Sequence, residues 1–223
     1  MSAIEMKSVT KSFKDGDETI EALKPTNFSA EKGELIAVIG PSGSGKSTFL
    51  TILGGLQAPT DGEVLIDGQD FSQKKEKSRA KLRFDKIGFI LQSSNLVPFL
   101  TVKQQMQLVD RVLKRKSSST GDNLLEQLGI QQLANKYPDE LSGGERQRAA
   151  IARALYNEPT IILADEPTAS LDTEKAFEVV SLLAKEAKEK EKAIIMVTHD
   201  LRLVDYCDKV YTMNDGILKL KNG

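Results

Sequence analysis

Gly40-Pro41-Ser42-Gly43-Ser44-Gly45-Lys46-Ser47-Thr48 fits the phosphate-loop pattern G-x-x-x-x-G-K-[ST], and its flanks decide what the pattern means. Ahead of it Glu34–Ile39 is a short, branched, apolar run that reads as a buried parallel strand. Behind it Phe49-Leu50-Thr51-Ile52-Leu53 keeps helical spacing until Gly54-Gly55 stops it. Strand, glycine loop and helix, in that order, form the setting in which this pattern grips phosphate. Glycines let the backbone wrap closely round a polyphosphate, and the helix start aims its N–H groups and positive dipole end at it. Lys46 is then placed to reach the β- and γ-phosphates, and the Ser47 hydroxyl to ligate Mg2+. The expected ligand is a nucleoside triphosphate.

The rest of the composition narrows the class. At 223 residues the chain can bury a full core and has room for one large α/β domain, alone or with a smaller insertion. Lys and Arg number 31 against 32 Asp and Glu, so there is no global basic field and no nucleic-acid partner is expected. The longest unbroken apolar runs, Leu35–Ile39 and Ala193–Val197, fall far short of the ~20 residues a membrane helix needs. Met1-Ser2-Ala3-Ile4-Glu5 lacks a basic region followed by an apolar core, so no secretory signal is expected. Cys207, the only cysteine, can form no internal disulfide, which fits a reducing cytoplasm; beside Tyr206 it reads as a packing residue.

Taken in order, Ile4–Val9 and Thr19–Leu23 read as two antiparallel strands turning through Asp15-Gly16-Asp17. Phe13 lies on that connection, where an aromatic ring either stacks on an adenine or tucks into the core. Residues 62–66 form a further strand, turning at Asp67-Gly68, and Gln73–Arg83 a charged, solvated helix. Lys86–Leu91 is another buried strand, ending at Gln92. From there to about Lys136 the short apolar runs give way to amphipathic helical patterns, Val102–Leu113 and Asn123–Leu128, separated by the polar break Lys116–Gly121. This texture predicts a helical insertion. Glu145–Tyr156 is a helix, Thr160–Ala164 a strand, Thr173–Lys190 a long helix and Ala193–Val197 a strand; Lys209–Met213 and Ile217–Leu220 close the chain as a hairpin.

A strand followed by a chemically apt residue recurs four times: Gly40 and its loop, Gln92, Asp165-Glu166 and His199. Open parallel sheets bind ligands at the carboxyl ends of their strands, so these points are expected to converge on one crevice. Asp165, after four apolar residues, suits the Mg2+ that bridges terminal phosphates. Glu166, pointing to the other side of the chain, suits a base that orients or deprotonates the attacking water; His199, the sole histidine, suits the γ-phosphate or that water. Gln92 offers donor and acceptor groups to the metal shell. Leu141-Ser142-Gly143-Gly144-Glu145 supplies a second anion cradle at a helix start. One triphosphate does not need two cradles from one chain, so the economical arrangement is two copies sandwiching two ATP molecules head to tail.

With these residues together, the chain resembles the ATP-binding subunits of ABC transporters over nearly its whole length. The phosphate loop recurs in many unrelated proteins. Followed in order by Leu-Ser-Gly-Gly-Glu, Ala-Asp-Glu-Pro-Thr and Thr-His-Asp, it is highly specific. The resemblance implies an α/β fold with a P-loop NTPase (RecA-like) core, an antiparallel β subdomain and an inserted α-helical subdomain. Residues 1–92 and 157–223 would form the nucleotide-binding core, and about 93–156 the helical part. It also implies ATP and Mg2+ as ligands and a homodimer of ATPase subunits. Phe13 becomes the adenine-stacking aromatic, Gln92 the sensor of metal and membrane partner, and Ser142, Gly143, Gly144 and Glu145 the signature. Glu166 becomes the base, Ser170-Leu171-Asp172 the loop crossing the dimer interface, and His199 the switch histidine.

Finer features resemble the MacB/LolD-like group, whose short ATPases serve separate permeases with four membrane helices. Phe89–Leu100 and Ala164–Asp172 look most like the haem-exporting hrt-type ATPases of Gram-positive bacteria, although LolD-like members usually read phenylalanine where this chain has Leu91. The resemblance implies an ATPase at the cytoplasmic face of the bacterial membrane, with two permease copies that contact haem in its place. The alternatives are a related antimicrobial-peptide or lipoprotein exporter and an FtsE-like transmembrane signalling ATPase. The soluble ABC ATPases of DNA repair and translation commonly carry two cassettes, a long coiled coil or zinc cysteines, none of which is visible.

Overall fold

A computed structural model describes residues 2–16, 18–115 and 120–221. Met1, Asp17 of the first turn and residues 116–119 of the polar break lie outside them. The apolar runs become strands β3 (Leu35–Ile39), β6 (Ile87–Ile90), β7 (Ile161–Asp165) and β8 (Ala193–Val197). With β9 (Lys209–Asn214) and β10 (Ile217–Leu220) they build a six-stranded sheet in the order β10-β9-β3-β8-β7-β6, antiparallel only at the β9–β10 hairpin. A second, antiparallel sheet in the order β2-β1-β4-β5 uses β1 (Ser2–Asp15), β2 (Glu18–Glu31), β4 (Asp61–Ile66) and β5 (Gln69–Asp70).

Strand periodicity sorts the parallel sheet's side chains into two faces. Ile36, Val38, Ile161, Leu163, Ile195 and Val197 face helix α1 (Lys46–Leu53) and the antiparallel sheet, where Phe28 meets Phe49 edge-on at 5.1 Å. Leu35, Ile162, Ala164, Ile194 and Met196 face the other way. They share one buried cluster with α3 (Val102–Leu113), α4 (Thr120–Gln127), α5 (Gly143–Tyr156) and α6 (Thr173–Glu189). Each large aliphatic side chain buried here contributes about 1.5–3 kcal/mol. The sheet is thereby clamped between two layers, and its strand ends are held still.

Boundaries differ from the sequence expectation where local pattern was not the deciding force. β1 and β2 each run 14 residues, much longer than the alternating segments suggest, because their pairing passes through bulges between Met6 and Val9 and between Val9 and Lys11. Phe13 accordingly lies within β1 opposite Ile20 and not on a connection. Helix α2 spans Glu76–Lys86, later than expected, without a side-chain cap; Arg79 donates to the Ser72 carbonyl and Arg83 to the Gly55 carbonyl, which anchor it. α5 begins at Gly143, two residues earlier than expected. Short 3-10 turns cover Gln131–Leu133, Pro138–Glu140 and Leu201–Tyr206.

Candidate active site

β3, β8, β7 and β6 are parallel neighbours, so their carboxyl ends open on one edge. A cavity of about 450 Å³ lies there, lined by Gly40, Ser42, Gly43, Gly45, Lys46, Ser47 and Thr48, by Gln92 after β6, by Asp165 at the end of β7 with Glu166 just beyond, and by Val197 at the end of β8 with His199 beyond it. The four sequence signals thus meet in one place. Ala22 of β2 completes the wall, a contribution no local motif announced.

The loop is tight at two of its glycines, which admit no side chain. A Cβ on Gly45, at φ +102°, would sit 2.4 Å from the Ala22 carbonyl oxygen, and one on Gly40 would sit 2.1 Å from that of Met213. The closing hairpin also buttresses the loop, since the Gly216 N–H donates to the Ser44 carbonyl at 3.0 Å. Lys46 Nζ donates to the Gly40 and Pro41 carbonyls at 2.9 and 2.7 Å. Pro41 and Ser44 shape the loop but do not line the cavity; the buried Ser44 hydroxyl has no hydrogen-bond partner among the described residues.

Opposite the loop, Ser47 Oγ donates to Asp165 Oδ2 at 3.1 Å. Burial pushes the Asp165 carboxyl above the usual carboxylate range against the Ser47 hydrogen bond, the Glu166 charge adds to the rise, and Lys46 opposes it. A bound cation would relieve that penalty. The donor set of one hydroxyl, one carboxylate and one amide is the hard-oxygen set of a Mg2+ held mainly by phosphates and water. Glu166 stands at φ +49°, unusual for a residue with a side chain, its N–H tied to the Val197 carbonyl at 2.9 Å. Its Oε2 lies 2.9 Å from Nδ1 of the mostly exposed His199.

Phe13 does not line this cavity; it is 37% exposed, with Lys11 Nζ 5.1 Å from its ring centroid. Ser142, Gly143, Gly144 and Glu145 are likewise elsewhere. Gly143 borders a second cavity of about 390 Å³, shared with Gln92, Arg146, Gln147 and Ser170. The Ser142 hydroxyl has a structural partner as well, and its own O–H is left to donate. It caps α5 by accepting from the Glu145 N–H, while Glu145 Oε2 accepts from the Ser142 N–H at 2.7 Å. These bonds hold the Glu145 carboxyl below its ordinary range. The amides of Gly143 and Gly144 remain at the open helix start. Asp172 caps α6 by accepting from the Lys175 N–H at 2.9 Å.

A phosphate loop entering a helix beneath a sheet, faced by a strand-end Asp-Glu pair and a histidine, defines a nucleotide-hydrolysing cassette of the P-loop class. The ABC transporter family model matches residues 23–169, and the chain belongs to that family. It is the ATP-hydrolysing subunit of a transporter. The hemin import ATP-binding protein HrtA of Staphylococcus haemolyticus is 46% identical over 221 residues, 98% of this chain and all of that protein. HrtA of Staphylococcus aureus strain MRSA252 is 46% identical over 217 residues, covering 96% and 98%. Among solved structures, the ATP-binding cassette MJ0796 in a dimeric post-hydrolysis state with ADP and Pi superimposes with a TM-score of 0.91 at 38% identity over 99% of both chains. CbiO1 of Clostridium perfringens, part of the transporter complex cbiONQ, gives 0.84 at 32% identity, covering 98% of this chain and 87% of that one.

Proposed function

We propose that two copies of this chain close head to tail over two ATP molecules and drive a haem-exporting permease at the cytoplasmic face of the membrane. The observation that carries the dimer is the separation of the two anion cradles: the signature Gly143 borders a different cavity from the one that holds Lys46 and Asp165. One chain leaves its own site half-built. The dimeric form of MJ0796 supports the same arrangement. On this reading Lys46 leaves the Gly40 and Pro41 carbonyls for the terminal phosphates, Glu166 takes a proton from the attacking water, and His199 holds Glu166 and the γ-phosphate in line. Ser47, Asp165 and Gln92 would hold Mg2+, which when bound neutralises charge on the terminal phosphates. Phe13 stacks on the adenine, and Ser170–Asp172 cross between the copies.

The membrane partner is supported by an apolar groove of about 300 Å³ between α2, β6 and α3, lined by Phe84, Phe89, Leu108 and Val112, with Phe99, 75% exposed, in the irregular segment ahead of α3. No helix among the described residues is long and apolar enough to cross a membrane. The apolar lining of the groove suits it to receive a permease segment. Residues 93–156 then act as the helical subdomain that answers to it. Haem is supported by the names of the HrtA relatives, which specify import, whereas the motif resemblance points to export. Chain purified from gently solubilised membranes should bring a four-helix permease in equal stoichiometry, with ATPase activity stimulated by haem. A strain lacking the chain should accumulate haem and grow poorly in its presence. Reduced haem content would reverse the direction, and recovery only from the soluble fraction, with nucleic acid or ribosomes, would overturn the motor reading.

A further inference from the structure

Residues 91–100 form neither helix nor strand, yet side chains from two helices grip their main chain. Gln147 of α5, 2% exposed, donates from Nε2 to the Leu91 carbonyl at 3.1 Å. Arg153, further along α5, donates to the carbonyls of Asn95 at 2.7 Å and Ser94 at 3.1 Å. Gln105 of α3 accepts from the Val97 N–H at 3.1 Å and donates to the carbonyls of Val97 at 2.8 Å and Leu100 at 2.9 Å. Contacts of this kind are indifferent to the loop's own side chains. They fix where the loop is, not what it binds.

Gln147 differs from the other two in its neighbours on both sides. Its acceptor, Leu91, immediately precedes Gln92, which lines both the phosphate cavity and the second cavity. Its own helix starts at Gly143, less than two turns away, and a helix passes a displacement of its first turn rigidly to that distance. We propose that Gln147 is a positioning residue for Gln92. Its bond to the Leu91 carbonyl makes Gln92 follow α5, so that seating Gly143 and Gly144 on the nucleotide of a second copy sets Gln92 in this chain's own site. The two ATP sites are thereby coupled through one hydrogen bond per chain. This inference rests on the head-to-tail reading above.

The test uses the full chain together with its co-purified membrane partner. Gln147→Met removes the donor at nearly constant length, and Gln147→Leu removes it with a shorter apolar side chain. For each variant kcat, KM and the Hill coefficient for ATP are measured, along with Tm. The expected result is kcat lowered about tenfold, the value of one buried hydrogen bond, with the Hill coefficient falling towards one, KM within about twofold and Tm little changed. Unchanged kcat and cooperativity in both variants would overturn the proposal, as would a rise in KM that tracks a fall in Tm, which marks packing alone. If Gln147→Met fails to fold, Gln147→Leu carries the same reading. Light scattering of the Glu166→Gln chain with saturating Mg-ATP separates the two levels. A monomer overturns the head-to-tail reading and this inference with it, whereas a dimer with unchanged Gln147 variants overturns the inference alone.

Discussion

Glu166→Gln tests the hydrolytic centre with the least disturbance the geometry allows. The backbone at this position is held by its N–H bond to the Val197 carbonyl, and the amide oxygen of glutamine can still accept from His199 Nδ1, now 2.9 Å from Glu166 Oε2. Shape and partner are therefore kept while the proton acceptor is lost. Removing a general base costs about 10²–10⁴ in rate, or about 3–5 kcal/mol in the barrier. Binding should not suffer. The Glu166 charge is one of the influences that raise the Asp165 carboxyl, so its removal favours ionised Asp165 and leaves metal affinity equal or higher. Single-turnover hydrolysis should fall by that factor with Mg-ATP affinity within about twofold. The ATP-bound dimer should outlive the wild-type one correspondingly in light scattering. A single-turnover rate within a factor of ten of wild type, at saturating nucleotide and metal, would refute the assignment of Glu166 as base.

Lys46→Ala should abolish nucleotide binding in titration calorimetry with the fold intact by circular dichroism, and unchanged affinity would contradict the phosphate-loop assignment. Asp165→Asn should raise the Tm of the nucleotide-free chain at pH 7 while suppressing hydrolysis, because a carboxyl raised in the folded state costs stability wherever it is ionised. A lower Tm would sink that argument. Lys192→Met should cost about 3 kcal/mol, since it strips one cation from the buried Glu186 while Lys190 remains, and lower Tm by about 6–12 °C. Burial opposes ionised Glu186, but hydrogen bonds from Lys190 and Lys192 outweigh it and hold the carboxyl below 4.5. The increment is thus complete above that pH and is lost as pH falls through the folded value, so the gap between variant and wild type should close in acid denaturation.

The parts of the molecule legible in the sequence are those where one local force dominates. β3 and β8 match their apolar runs residue for residue and β7 is offset by one, because strands buried on both faces announce themselves by composition. The phosphate loop, Gln92, Asp165, Glu166 and His199 meet at one cavity for the same reason: each stands at the end of such a strand or just beyond it. What escaped depends on partners distant in the chain. The bulges of β1 answer to β2 and β4, α2 is set by carbonyls at Gly55 and Ser72, and the grip of Gln147 on Leu91 spans 56 residues. The capping box of Ser142 and Glu145 is local and readable, and it leaves the Ser142 O–H and the glycine amides to serve the anion cradle the same stretch suggests.

Several local rules are broken together at the strand ends. Gly45 stands where any side chain would strike Ala22, Glu166 holds a left-handed backbone, Asp165 bears a carboxyl that its burial disfavours, and the Ser44 hydroxyl is buried without a partner among the described residues. Each departure costs stability, and each is held in place by the two packed layers that immobilise the sheet. A site held out of its own minimum can recover part of that cost when phosphate and cation arrive. On the head-to-tail reading proposed above, the recovered free energy would be available to bring the second copy's signature helix against the nucleotide.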